Sequence, residues 1–259
     1  MMRRERNSGK ERTGETRLEG FSSTCGVLVI GLFALTFIFQ NFVIPSSSMA
    51  STLLVGDHIV AERELLAPKP AGASLLPYRE VHRRDIVVFY KPPAESDGDH
   101  IFLVKRVIGI PGDRIHLRNG VVFLNGVAQQ EPFAAKTTPS TYDPVIDDFP
   151  ARGTPQSEYS TAEWSVMLPT YMHGNDVVVP PDRYFVMGDN RENSADSRFW
   201  GFVPRENIVG RPLFVYWSFP IEKMNGEKVA FNEEARSTFH EFVHFFDETR
   251  WRRTFHSIN

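Results

Sequence analysis

From Gly20 to Gly56 the sequence contains no Asp, Glu, Lys or Arg, and residues 25–44 of that run, CGVLVIGLFALTFIFQNFVI, are almost wholly apolar. Twenty helical residues rise about 30 Å, the thickness of a bilayer's hydrocarbon core. A helix that is apolar around its whole circumference belongs in lipid or deep inside a large core. Only Thr36, Gln40 and Asn41 are clearly polar, the last two near the far end. The expectation is a transmembrane helix over residues 21–44. Two rival readings are a cleaved secretory signal and a buried core helix. The first would use Ser48-Met49-Ala50 as a small-x-small cleavage site, but the apolar stretch exceeds the roughly 7–15 residues of such a signal's core.

The flanks orient the helix. Arg3, Arg4, Arg6, Lys10, Arg12 and Arg17 precede it, and no basic residue follows until Arg63. By the positive-inside rule, residues 1–20 form a cytoplasmic tail and the body lies on the other side. No later segment is apolar for long enough to cross back, so a single-pass protein in contact with the lipid bilayer is expected. With 41% apolar and 24% charged residues among 259, the body is not a disordered chain. A net charge of −3 lacks the basic excess of a nucleic-acid-binding surface, so no nucleic acid partner is expected. The one cysteine, Cys25, excludes an intramolecular disulfide and a Cys-cluster metal site.

Residues 45–220 read as mainly β. DIVVFY (85–90) and HIFLVKRVIGI (100–110) are rich in β-branched and aromatic residues, and RYFVMG (183–188) and PLFVYWSF (212–219) resemble them. Asn119-Gly120 and Asn125-Gly126 are two-residue hairpin signals. Residues 131–180, rich in Pro, Thr, Ser and Asp, read as an irregular insertion with room for a hairpin. Residues 221–259 read as an amphipathic C-terminal tail. Asn232 suits a helix cap, and Phe239, Phe242, Val243 and Phe246 share one helical face. Trp251 and Phe255 then stand among Arg250, Arg252 and Arg253. That mixture suits a membrane interface, or a segment packed on the β body.

Three serines, Ser46 to Ser48, lie directly beyond the apolar run, where a linker would also be rich in serine. A serine hydroxyl attacks only when a base takes its proton. None of the eight histidines sits in a triad motif, and neither Gly-x-Ser-x-Gly nor His-Glu-x-x-His occurs. Lys105 lies among apolar residues in FLVKRVIGI. It is either an outward residue of an amphipathic strand or a desolvated amine poised near neutral pH. MGDNRENSADSRFWG (187–201) is either a self-bonded polar loop or part of a site.

Four blocks in this order, PSSSMASTLLVGD (45–57), RRDIVVF (83–89), KRVIGIPGD (105–113) and GDNRENSADSRFWG (188–201), resemble the type I signal peptidases, a family of Ser/Lys endopeptidases. The resemblance implies a coiled antiparallel β-sheet catalytic domain of signal-peptidase type, behind one N-terminal transmembrane helix and before a short C-terminal helical tail. It places the nucleophile at Ser48, the general base at Lys105 and an oxyanion donor at Ser46. Ser194 falls on the serine that orients the lysine, Asp196 and Arg198 on a structural ion pair, and Asp189 on a supporting acid. It implies signal peptides of exported preproteins as substrates, a bacterial plasma membrane, no cofactor and no metal. A monomer is expected. Met49, Leu53, Leu54, Ile86 and Val88 are expected to give the substrate-facing surface its apolar lining. Two positions depart from the family's pattern: Ser51 stands where proline is usual and Arg84 where glycine is usual. Narrower readings also fit: a relative that processes a single pilin or conjugation protein, or a catalytically silent, membrane-anchored binding protein.

Overall fold

The computed structural model describes residues 17–33, 38–63, 79–92, 101–135, 142–151, 160–220 and 245–258. The chain divides into two units, Met1–Ile38 and Phe39–Asn259. The first contains the helix α1 (Arg17–Phe33), on which Phe21, Leu28, Ile30 and Phe33 are all exposed. Among the described residues no helix is long and apolar enough to cross a membrane.

The helix expected over residues 21–44 does not continue to its far end. Phe39–Val43 is a strand, β1, paired antiparallel with β2 (Asp57–Glu62) in the register Phe39↔Glu62 to Val43↔His58. Gln40 and Asn41 end the unbroken apolar run, and the ladder to β2 satisfies backbone groups that lipid would leave to a helix. Ile44, the last apolar residue, is 3% exposed in the core of the second unit. The apolar run thus serves two structures in succession.

The second unit is built from two antiparallel sheets. The larger uses β3 (Ile86–Tyr90), β4 (Phe102–Gly109), β10 (Arg183–Met187), β11 (Val203–Pro204) and β12 (Ile208–Ser218), in the order β1-β2-β12-β3-β4-β10-β11. Register shifts where β12 meets β2 and β3, and where β10 meets β4, add local bend and twist. The smaller sheet runs β7-β6-β5-β9-β8, formed by β5 (Arg114–Arg118), β6 (Val121–Leu124), β7 (Val127–Ala128), β8 (Met172–His173) and β9 (Asp176–Val178). Both Asn-Gly pairs are hairpin turns. Asn119 and Gly120 have φ of 51° and 72°, and Asn125 and Gly126 of 52° and 82°, the left-handed pair that such turns require.

The segment 131–180 holds more order than its composition suggests. It carries the one-turn helix α2 (Pro144–Asp147), the helix α3 (Ala162–Tyr171) and the hairpin β8–β9. Thr161 caps α3, its Oγ1 accepting from Trp164 N at 3.3 Å, and Trp164 and Leu168 bury the face toward the core. That core joins the two sheets through Ile115, Leu117, Val177, Phe185 and Met187. Val87 and Phe89 of β3 enter a second cluster, and Ile86 enters a third with Ile44, Met49, Leu53 and Ile59, as alternation along a strand dictates.

The far C-terminus belongs to the body. The proposed cap Asn232 and the face of Phe239, Phe242 and Val243 lie outside the described residues. Residues 245–258 contain the one-turn helix α5 (Phe245–Glu248) and the strand β13 (His256–Ser257), which pairs with β12. Arg253 donates to both oxygens of fully buried Asp57, at 3.0 and 2.5 Å, and Arg250 donates to Val55 O at 2.9 Å. Ile258 completes the third core cluster beside Met49 and Leu53. Of the two readings of this segment, residues 245–258 take the one packed on the β body: Arg250 and Arg253 face inward, while Trp251 and Phe255 remain exposed.

Candidate active site

Ser48 sits in the connection between β1 and β2, on a single 3-10 turn, Ser47–Met49. Below it, Met49 and Leu53 are 1% and 0% exposed and fix the turn to the core. From above, the loop that follows β10 grips the same turn. Asn190 N donates to Ser48 O at 3.0 Å, Asn190 Nδ2 to Ser47 O at 3.1 Å, and Asn193 Nδ2 to Ser47 Oγ at 2.8 Å.

Lys105 projects from the middle of β4, across from Val87 of β3, and is 3% exposed. Its Nζ lies 2.5 Å from Ser48 Oγ. Burial lowers the Lys105 pKa from 10.5 to about 8, with Asp196 and Asp189 opposing and Arg198 assisting. A neutral amine is thus accessible near physiological pH, in contact with a hydroxyl that needs a base. Ser46 Oγ approaches Ser48 Oγ at 3.3 Å from an extended backbone.

The other expected polar residues divide between support and contact. Asp196 is fully buried; burial works to raise its pKa, but Arg198 and Lys105 hold it below the ordinary carboxylate value. Arg198 Nε and Nη2 reach the two Asp196 oxygens at 2.9 Å each, and Arg198 also donates to Ile146 O and Arg191 O at 2.8 Å. Asp189 accepts from Arg106 Nε and Nη2 at 2.8 Å each and from Thr52 Oγ1 at 2.5 Å. Thr52 lies four residues beyond the nucleophile, so this ion pair braces the same turn. Ser194 Oγ is buried without a hydrogen-bond partner, and it is packed against Gly188 rather than bonded to Lys105.

Of the five residues expected to line the substrate side, Leu54 is partly exposed and the other four are buried. Met49, Leu53, Ile86 and Val88 are between 0% and 3% exposed, and the first three share one core cluster that supports the Ser48 turn from beneath. Partly exposed Phe42 and Val104 pack on that cluster from outside. The two departures from the family pattern have structural counterparts. Arg84 has φ of 72°, a left-handed conformation that glycine adopts without steric cost. Ser51 Oγ donates to Phe133 O at 2.6 Å, a bond that proline could not make.

Several residues that matter here escaped the sequence reading. Gly188 leaves no room for a side chain: a Cβ there would lie 2.3 Å from Ser194 Oγ and 2.5 Å from Ser48 O. Phe133 caps Arg106, with the guanidinium carbon 4.1 Å from its ring centroid. Glu131 binds Arg191 through two bonds of 2.8 and 2.9 Å. Gly188, Arg106 and Arg191 lie inside the quoted blocks and carried a signal; Phe133 and Glu131 carried none. Among the described residues no group of three His, Cys, Asp or Glu is placed to hold a metal ion.

A buried serine in contact with a lysine of lowered pKa, on an antiparallel β scaffold, is an arrangement able to carry out nucleophilic hydrolysis. Residues 17–217 match the family model described as signal peptidase, peptidase S26, and the chain belongs to that family. It is 32% identical over 200 residues to a probable signal peptidase I-2 of Synechocystis, covering 76% of this chain and 71% of that one. It is 31% identical over 210 residues to signal peptidase I of Bacillus caldolyticus (81% and 94% covered), and 30% identical over 210 residues to that of Leptolyngbya laminosa (80% and 82% covered).

Proposed function

We propose that this chain cleaves N-terminal signal peptides from exported preproteins through a Ser48/Lys105 dyad and an acyl-enzyme intermediate. The observation that carries this reading is the 2.5 Å contact between the buried Lys105 amine and Ser48 Oγ. Neutral Lys105 takes the Ser48 proton as Oγ bonds to the scissile carbonyl carbon. The developing oxyanion is held by the Ser46 hydroxyl and the Ser48 backbone N–H, and one such donor contributes about 3 kcal/mol in the transition state. The C–N bond then breaks, and the lysine's proton passes to the leaving amine. Water, deprotonated by the now neutral Lys105 amine, attacks the acyl carbon and breaks its bond to Ser48 Oγ, which takes the proton back from Lys105 as the signal peptide leaves.

Ser194, whose buried hydroxyl is unpartnered, orients the lysine amine in this reading. Asp189, Asp196 and Arg198 hold the loop that grips the Ser48 turn.

The apolar segment over residues 21–38 anchors the enzyme in a bacterial plasma membrane, with residues 1–20 cytoplasmic and the catalytic unit outside. The six basic residues before it and the exposed apolar surface of α1 support that orientation. Ser48 follows residue 38 by ten positions (48 − 38), so the nucleophile is tethered close behind the anchor. A signal peptide's apolar segment spans the same bilayer, and its cleavage site emerges at that level. Cleavage after small residues of the Ala-x-Ala kind is expected.

The test uses the full chain in detergent with a preprotein carrying an Ala-x-Ala site, from pH 6 to 10. Cleavage that rises through about pH 8 and is lost in both Ser48→Ala and Lys105→Ala supports the dyad. Cleavage that survives Ser48→Ala refutes it.

A further inference from the structure

The turn that carries Ser48 is held by more than its own hydrogen bonding. Within it, one bond closes the 3-10 geometry, from Ala50 N to Ser47 O at 3.0 Å. Such i→i+3 bonds have poorer geometry than those of an α-helix, so a lone turn gains from outside support. Asn190 Nδ2 supplies it, donating to the same Ser47 O at 3.1 Å across 143 positions. A carbonyl oxygen has two lone pairs, and both are then engaged. Asn190 N donates to the next carbonyl, Ser48 O, at 3.0 Å, so one residue holds two consecutive peptide groups.

Asn190 is itself fixed. It lies between β10 and the one-turn helix α4 (Ser197–Trp200), where Ala135 of the insertion forms an isolated parallel bridge with it. Its neighbour Asp189 is forked by Arg106. Asn190 is 8% exposed, and its Oδ1 is buried without a hydrogen-bond partner. Ser47 O only accepts, so turning the amide over would set two acceptors face to face. The side chain thus commits its donor to Ser47 O and leaves its acceptor unsatisfied, whereas a buried amide that serves packing alone is ordinarily bonded at both ends.

We infer that Asn190 is a positioning residue for the oxyanion: by holding Ser47 O it aims the Ser48 backbone N–H at the developing negative charge. The inference rests on the dyad reading above, in which that N–H is a donor to the oxyanion. Ser47 O and Ser48 N–H belong to one trans peptide group. That group is planar, so the two point to opposite sides, and whatever fixes the direction of one fixes the other. Bonds accepted by the carbonyl also polarise the group and strengthen its N–H as a donor. Gly188 makes the approach possible, since a Cβ there would lie 2.5 Å from Ser48 O and push the loop off the turn. The bonds from Asn190 run to the carbonyls of Ser47 and Ser48, so it acts on the direction of a donor rather than on the basicity of the amine.

The experiment compares wild type, Asn190→Ala and Asn190→Asp, each as the full chain in detergent, on a peptide carrying an Ala-x-Ala site. Removing an oxyanion donor outright costs about 10²–10³ in kcat, so a donor left in place but unaimed should cost about tenfold. Asn190→Ala is expected to lose about that much kcat with KM unchanged. Asn190→Asp, which turns an acceptor toward Ser47 O, should lose at least as much. It keeps the side chain's shape, so it reads the donor even where the Ala variant fails to fold. A peptide aldehyde adds to Ser48 Oγ as a hemiacetal whose oxygen occupies the oxyanion position, and its affinity should fall by the same factor. A peptide with a reduced CH2–NH scissile bond has no such oxygen, and its affinity should not change. The midpoint of kcat/KM near pH 8 should also stay in place. A kcat within twofold of wild type, an equal loss of affinity for both peptides, or a displaced pH midpoint overturns the inference and leaves the dyad standing. Wild-type cleavage that survives Ser48→Ala overturns the dyad reading and the inference together.

Discussion

The ring of Phe133 lies over the guanidinium of Arg106, 4.1 Å from carbon to centroid, while the same guanidinium forks onto Asp189. Phe133 comes from the insertion and Arg106 from the strand that carries Lys105. Ser51 Oγ fastens the Phe133 carbonyl, and Ala135 N donates to Asp189 O at 2.8 Å. The insertion is thereby stitched to the catalytic loop. Removing the ring exposes a buried ion pair and loses a desolvated cation–π contact. Phe133→Ala is expected to destabilise the catalytic unit by about 1–2 kcal/mol. Thermal unfolding measures this, and Phe133→Leu, which keeps the cover but not the π face, should recover part of it.

Lys105 makes stability depend on pH in a defined direction. Its folded pKa of about 8 lies below the value of 10.5 for a free lysine, so between those values the unfolded chain binds more protons. Stability therefore rises with pH across that window, and below pH 8 the folded state carries the full burden of a buried ammonium. Lys105→Met should be inactive, yet more stable than wild type at pH 7 by an amount on the order of 3 kcal/mol at most. The difference should shrink toward pH 10.5. Denaturant unfolding at pH 7 and pH 10 checks the sign.

Gly188 should tolerate no side chain. A Cβ would collide with Ser194 Oγ and the Ser48 carbonyl, and the second contact is with backbone that cannot swing aside. The nucleophile turn must shift, and a displacement of about 1 Å at reacting atoms costs about 10²-fold. Gly188→Ala is expected to fold, to keep its KM within a small factor and to lose roughly that much in kcat. Steady-state kinetics on a peptide substrate separates the two parameters.

Arg84 occupies a left-handed conformation, while its carbonyl accepts from Arg106 Nη1 at 2.9 Å. A non-glycine residue there carries a cost of about 1 kcal/mol. Its side chain makes an exposed hydrogen bond to Gln130 O at 3.3 Å, which returns little. Arg84→Gly is expected to raise Tm by about 2–4 °C without changing kcat/KM. Calorimetry on the two proteins decides it.

How legible all this was in the sequence varies by element. Strands β3, β4 and β10 and both Asn-Gly hairpins follow from local composition, because their β-branched residues and turns act on their immediate neighbours. Ser48 and Lys105 were legible as members of motif blocks, although their 2.5 Å contact spans 57 positions that no local pattern reports. The helix α3 was hidden by Pro169 and a Ser/Thr-rich approach, although Thr161 and the pair Trp164 and Leu168 were its cap and buried face. Residues 39–43 misled through apolarity alone, which suits a helix in lipid as well as a strand beside β2. Met49, Leu53, Ile86 and Val88 were rightly read as apolar, but which side of a turn a residue faces is set by packing.

The Arg253–Asp57 pair and the place of Ile258 beside Met49 have a bearing on timing. The floor beneath Ser48 is finished by residues about 200 positions further along the chain. A chain still under synthesis has its serine and its lysine but lacks the strand and the arginine that set their support. The turn that carries Ser48 is therefore complete only once residues 253–258 have folded back beneath it.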